Sequence, residues 1–262
     1  MKINALSRAL LWLTTAAVLA FIYVPIMVVV ANSFSTSATL AWPPPGFTLE
    51  WWGRALTNDG ALAAISTSVI VAIASTAIAL LLGTALSFAL HRFQFFGKST
   101  VNLLVVLPIA LPGIVTGIAL NNAFRTMLGA ELGWATIIVA HATFCVVTVF
   151  NNVFARLKRV GTSLEEASSD LGAGVWTTFR LVTFPQIRSA LFAGGLLSFA
   201  LSFDEIIVTT FTAGNGVQTL PIFILDNVFR TNQAPIVAVI AVVMILVAIV
   251  PIYLAQRLTS RD

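Results

Sequence analysis

Two stretches of this 262-residue chain gather residue types able to do chemistry. The first is Ser198, Ser202, Glu205, Thr209 and Thr212, whose spacings of four, three, four and three draw one polar stripe along a helical face. Asp204 lies about 100° round the axis from Glu205 on a regular helix. The segment around them is otherwise apolar, and a carboxylate at membrane depth costs at least about 2.5 kcal/mol. These acids must therefore face a cavity, a partner, or donors on a neighbouring helix. Facing a pathway, Glu205, Asp204, Ser202 and Thr209 would offer charge and hydroxyl acceptors to a cationic or amine-bearing solute. Satisfied by a neighbouring helix, they would be structural. His141, deep in another apolar run, is open to a parallel pair of readings, an interior hydrogen-bonded residue or a proton relay.

The second stretch is Glu166-Ala167-Ser168-Ser169-Asp170-Leu171-Gly172, followed by Val182-Thr183-Phe184-Pro185. It is a polar island between two long apolar segments. Thr162 or Ser163 stands three residues before Glu165 or Glu166, the spacing of a capping box. Glu165, Glu166 and Asp170 fill the first turns, where the helix dipole favours negative charge. Gly172 permits a sharp turn or the close approach of another chain. Val175, Phe179 and Val182 then recur at helical spacing, and Pro185 is expected to end the pattern. A short helix, a bend and a second helix, flanked by basic residues, have the form of a docking element.

Other motifs carry less. Gly97-Lys98-Ser99 has the ending of a phosphate loop, but Arg92 occupies the position five before Gly97 where a glycine is required, and no strand precedes it. The chain itself is thus expected to bind no nucleotide and no other cofactor. Cys145 stands alone, so no intrachain disulfide can form. No metal-ligand cluster or nucleophile–base constellation points to an enzyme.

Composition sets the elements that must position these residues. The chain is 58% hydrophobic and 9% charged, against about 25% charged in soluble domains, which makes it an all-α integral membrane protein. The length suits one helical bundle over 1–262, with no separate soluble domain of ordinary size. Apolar runs at roughly 9–32, 62–90, 100–123, 134–155, 188–212 and 234–256 give six transmembrane helices, each near or above the ~20 residues needed to cross a bilayer. Pro108 and Pro112 interrupt the third, where Gly113 and Gly117 have the small-xxx-small spacing of close helix contacts. Broken backbone at that depth needs protein or a wet cavity around it. The first run exceeds a signal-peptide core and lacks a convincing cleavage site, so an uncleaved helix is expected. Between the first two runs, Trp42-Pro43-Pro44-Pro45 and Trp51-Trp52 suit an extended loop with interfacial tryptophans.

The net charge of +4 is explained by topology rather than by nucleic acid. Lys2, Arg8, Arg92, Lys98, Arg156, Lys158, Arg159, Arg180, Arg188, Arg257 and Arg261 fall on one side of a six-span arrangement, and only Arg54, Arg125 and Arg230 on the other. By the positive-inside rule both termini are cytoplasmic.

The order Glu166-Ala167-Ser168, three residues, Gly172, nine residues, Val182, one residue, Phe184-Pro185 resembles the cytoplasmic EAA loop of ABC-importer permeases. Ser168 replaces the second alanine and Phe184 the usual leucine. Together with Pro108–Gly117, His141-Ala142-Thr143-Phe144 and Ser202-Phe203-Asp204-Glu205-Ile206-Ile207-Val208, the chain resembles the second permease of spermidine/putrescine-type importers. That resemblance implies a type I importer fold in a bacterial inner membrane, crossed several times and surrounded by lipid. It implies a second permease subunit, a cytoplasmic ATPase dimer that holds ATP and magnesium, and an extracytoplasmic solute-binding protein. It makes residues 157–187 the coupling loop, with Glu166, Ala167, Asp170 and Gly172 carrying that role. The competing readings are a permease for another small solute and a self-contained ion-coupled transporter using Glu205, Asp204 and His141. No clear repeat relates the two halves of the sequence, which weighs against the latter.

The orientation can be tested by cysteine labelling in intact cells. Ser37→Cys is expected to react with an impermeant reagent from outside and Ser260→Cys only after permeabilisation. Outside labelling of Ser260→Cys would overturn the assignment.

Overall fold

The computed structural model of the chain describes residues 4–259. Lys2, Arg261 and Ser260, used above for orientation, lie outside them. Among the described residues there is no strand, only an isolated bridge between Ser35 and Phe47. The helices are α1 (Ala5–Asn32), α2 (Glu50–Leu56), α3 (Asp59–Arg92), α4 (Lys98–Ala110), α5 (Gly113–Asn122), α6 (Trp134–Val160), α7 (Ser163–Asp170), α8 (Val175–Thr178), α9 (Phe184–Phe203), α10 (Ile207–Thr212), α11 (Leu220–Asn227) and α12 (Ala234–Thr259). Widened π turns follow α5 at Ala123–Met127 and join α8 to α9 at Phe179–Thr183.

Four described helical stretches are long and apolar enough to cross a membrane: Leu6–Asn32, Asp59–Arg92, Trp134–Val160 and Val175–Phe203. The pair Lys98–Ala110 and Gly113–Met127 makes a fifth if taken as one broken span, and Ala234–Val247 is a shorter apolar helix.

The chain gathers into two compact units. The first comprises the chain up to Leu62 with Ile224–Leu246. In it the Trp51 indole N–H donates to the Ser35 carbonyl at 2.8 Å, Phe34 stacks on Trp52 at 5.3 Å, and Asn232 N–H reaches Ala38 O at 3.0 Å. Trp51 is buried. It therefore holds the loop together from within, rather than acting as the interfacial anchor its sequence position suggested.

The second unit comprises Ala63–Phe223 with the chain from Val247. Its core is α6, whose buried residues include Ala140, Phe144, Cys145, Val149, Val153 and Leu157. Helix α9 packs along it. Small and hydroxyl residues bring the helices together, as expected where lipid removes the hydrophobic drive between them. Ser75 Oγ donates to Ile138 O at 3.0 Å between α3 and α6, and Ser198 Oγ to Cys145 O at 3.2 Å between α9 and α6.

Two expected helices are broken. The third apolar run bends by 106° between α4 and α5. Leu111, forced out of the helical region by the proline after it, is extended at φ −81°, ψ 144°, and Pro112 opens α5 as its N-cap. Pro108 stays within α4. The close approach expected of Gly113 and Gly117 is present: a Cβ on Gly113 would meet Ile207 at 3.4 Å and one on Gly117 would meet Phe211 at 2.6 Å.

The fifth run, expected as one helix over 188–212, ends at Phe203 and resumes at Ile207. Its polar stripe therefore does not run along a single helix. At the other end, Pro185 does not stop the helix. The π turn before it widens the backbone, so the missing N–H and the ring are accommodated and the chain continues into α9.

Candidate functional site

The polar loop forms a helix, a turn and a helix. α7 ends in a Schellman motif: Ala173 N–H donates to Ser168 O at 3.1 Å and Gly172 N–H to Ser169 O at 2.9 Å. Gly172 is left-handed at φ +79°, and a Cβ there would meet nothing within 4 Å. Its left-handed backbone thus favours glycine, and the space beside it is open. The capping box does not form. Thr162 is helical, and its hydroxyl donates to the Glu166 carboxylate at 2.6 Å instead.

Glu165 was not singled out for function in the sequence, yet it ties the loop to the bundle. Its Oε1 accepts from Arg92 Nη2 at the end of α3 at 2.7 Å and from Thr183 Oγ1 in the π turn at 2.6 Å. The Arg92 guanidinium also lies 5.2 Å from the centre of the Phe88 ring. Ser168 and Thr178 hydroxyls meet at 3.0 Å, bracing α7 against α8. Glu166, Ala167 and Asp170 are exposed. Beside them an apolar set is left uncovered, with Leu171 89%, Val175 80% and Trp176 71% exposed.

The second site is the break between α9 and α10. Asp204 follows the last turn of α9, with its N–H on Ala200 O at 3.2 Å, and its side chain is exposed. The half-buried Glu205 turns its carboxylate back to cap α10, accepting from Val208 N–H at 2.9 Å. A carboxylate is well suited to that end of a helix. Ser202 and Thr209 are buried and face α6, where both bond to His141: Ser202 Oγ to Nδ1 at 2.7 Å and Thr209 Oγ1 to Nε2 at 2.8 Å. Ser198 and Thr212 also face α6, Thr212 through its carbonyl, which accepts from Thr136 Oγ1 at 2.9 Å.

The residues read from the sequence as one pathway stripe are therefore divided. Asp204 and Glu205 stand at the opening, and the hydroxyls are engaged with α6. Arg92 and Glu165 could not be paired from the sequence, because 73 residues separate them and neither carries a local signal. Among the described residues no group of three or more His, Cys, Asp or Glu could hold a metal.

Residues 79–262 match the family described as binding-protein-dependent transport system inner membrane component. The chain belongs to this family. It is 34% identical over 247 residues to the spermidine/putrescine transport system permease protein PotC of Escherichia coli K12, covering 94% of this chain and 92% of that one. It is 33% identical over 216 residues to the putrescine transport system permease protein PotI of the same organism, covering 79% and 76%. A bacterial ABC transporter that imports the acidic polysaccharide alginate superposes with a TM-score of 0.73 at 15% identity, over 98% of this chain and 99% of that one. The chain thus has the fold of an ABC importer permease and is a multi-pass inner-membrane protein. Membership makes it a transport subunit.

The Schellman turn gives a direct test within this permease. Gly172→Asn is expected to keep the turn, since asparagine tolerates the left-handed region. Gly172→Val is expected to cost about 1–2 kcal/mol locally. The readout is amide hydrogen exchange across residues 163–178, faster in the valine variant. Equal exchange in the two variants would show that the turn does not depend on its left-handed residue.

Proposed function

We propose that this chain forms half of the translocation pathway for a cationic amine of the spermidine/putrescine type, with a second permease subunit forming the other half. A cytoplasmic ATPase dimer, holding ATP and magnesium, drives transport, and an extracytoplasmic solute-binding protein delivers the cargo. The observation that carries this reading is the break in an apolar helix at Asp204-Glu205, where one carboxylate is exposed and the other half-buried. An ionised carboxylate at membrane depth is costly, and the exposed Asp204 at such an opening is suited to attracting a cation. Two unit charges 4 Å apart attract by about 4 kcal/mol at an effective dielectric near 20, enough to offset part of the dehydration of an ammonium group. The polyamine systems named for the two E. coli relatives support the same class of cargo.

Coupling to the ATPase falls to residues 157–187. Glu166, Ala167, Asp170 and the open space at Gly172 present a small, acidic helix end, and Leu171, Val175 and Trp176 surround it with uncovered apolar surface. An apolar patch of this kind on a polar loop suits a protein partner. Six spans with both termini cytoplasmic place this loop beside the ATPase, with α4–α5 and α12 supplying the third and sixth spans. Between α3 and α9 runs an apolar groove of about 780 Å³, lined by Leu80, Phe88, Leu191 and Phe199 among others, suited to lipid or to the second permease.

The acids are tested by Asp204→Asn and Glu205→Gln in the complex reconstituted with its ATPase and binding protein. Asp204→Asn is expected to lower uptake of a cationic amine by about tenfold or more, as loss of a few kcal/mol of attraction requires. Glu205→Gln keeps an acceptor for Val208 N–H and is expected to lower uptake less, with normal amounts of assembled complex in both cases. Unchanged uptake across cargo concentrations would reject the charge role, and loss of assembled complex would make the acids structural.

A further inference from the structure

His141 bonds to both sides of the helix break, through Ser202 on α9 and Thr209 on α10, and is fully buried on α6. The hydroxyl protons fix the direction of these bonds. With Thr209 Oγ1 donating its one proton to the Glu205 carbonyl at 2.8 Å, its lone pair is left for His141 Nε2, and the tautomer protonated there completes both bonds. A second proton on Nδ1 would bury an uncompensated imidazolium between two hydroxyls, which is costly. Nδ1 therefore accepts from Ser202 Oγ–H. The result is a directed chain from the Ser202 hydroxyl through the imidazole and the Thr209 hydroxyl to the Glu205 carbonyl, one of the backbone groups that the break frees. Phe144, with its ring centre 5.4 Å from that of the imidazole, packs beside it.

We propose that His141 is a positioning residue, a neutral clamp with its proton on Nε2 that spans the break and fixes how Asp204 and Glu205 are presented to cargo. The inference rests on the reading of those acids as the cargo site. It assigns Ser202 and Thr209 to holding the break rather than to touching cargo, and it leaves His141 no bond to a carboxylate side chain through which to relay protons. One rigid ring thus engages a hydroxyl on each side of the break, so a loosened clamp should misplace the acids while the bundle persists.

The test uses the complete transporter in proteoliposomes with binding protein and ATP, reading cargo moved per ATP hydrolysed and normalising to assembled complex. His141→Leu is expected to lower that ratio about tenfold, the order expected when buried hydroxyls lose their partner. His141→Gln, which can still reach one hydroxyl, is expected to recover part of it. Ser202→Ala and Thr209→Val, each losing one contact and little volume, are expected to show smaller losses. The Ser202→Ala/Thr209→Val pair combined with His141→Leu should be no worse than His141→Leu alone, because the three act as one network. A normal ratio in His141→Leu complexes would overturn the clamp, as would uptake losses that only track missing complex in every variant. Normal transport by Asp204→Asn and Glu205→Gln beside a defective His141→Leu would instead overturn the cargo-site reading, and with it what the clamp is said to present. A defective Asp204→Asn beside a normal His141→Leu would leave the cargo site standing and remove the clamp alone.

Discussion

In hydrocarbon every backbone N–H and C=O must find its partner inside the protein, and each one left without costs several kcal/mol. A membrane helix can be opened only if the surrounding residues replace the bonds it gives up. This chain opens two helices, at Leu111–Pro112 and at Asp204–Ile206, and the short helices beyond the openings pack against one another. Gly113 lies against Ile207, Gly117 lies against Phe211, and Asn121 Nδ2 donates to the Phe211 carbonyl at 2.6 Å. The two breaks therefore form one structure. Glu205 and Thr209 take up freed groups on one side of it, and Pro112, whose carbonyl accepts from Val115 and Thr116 N–H, sets the other. Asp204 stands exposed beside this structure, with its N–H on the Ala200 carbonyl.

The same helix connects this opening to the polar loop. From Val175 to Phe203 the backbone is helical without interruption, through a π turn, over 29 residues, or roughly 40 Å at the usual rise. Its lower end is tied to α7 and α3 through Glu165, with Thr183 on one side of the carboxylate and Arg92 on the other. α7 is thereby joined to the helix whose far end leads into Asp204. The seam with α6 along that helix combines apolar residues such as Val149, Val153 and Ile187 with small residues and hydroxyls. Gly194 and Gly195 lie on it and against α3, and Arg156 Nε donates to the Gln186 carbonyl at 2.8 Å near its base.

Much of this was legible in the sequence because it depends on local order. The loop's helix, turn and helix followed from its acids, Gly172 and the apolar spacing after it, and the glycine pair after Pro112 signalled a close contact. The stripe from Ser198 to Thr212 was legible too, but its interpretation was not. Periodicity reports which residues share a direction, and a break that keeps both segments facing α6 preserves that period while letting Asp204 and Glu205 leave the helix. The capping box failed for a similar reason, since the same Thr and Glu satisfy each other directly once Thr162 is itself helical. Pro185 does not end the helix because a single widened turn suffices to carry the backbone through proline. The Arg92–Glu165 tie and the bridging by His141 join residues 73 and more than 60 positions apart, and no pattern along the chain encodes such pairs.

The central claim is that this permease moves a cationic amine with energy from a separate ATPase. The most direct measurement is accumulation of a radiolabelled diamine or triamine in proteoliposomes holding the complete complex, with the binding protein on the outside and nucleotide enclosed. Accumulation is expected with ATP and magnesium inside and the binding protein present, and it should be insensitive to a proton ionophore. Accumulation without ATP that follows an imposed proton gradient would contradict the account and make the acids part of an ion-coupled carrier.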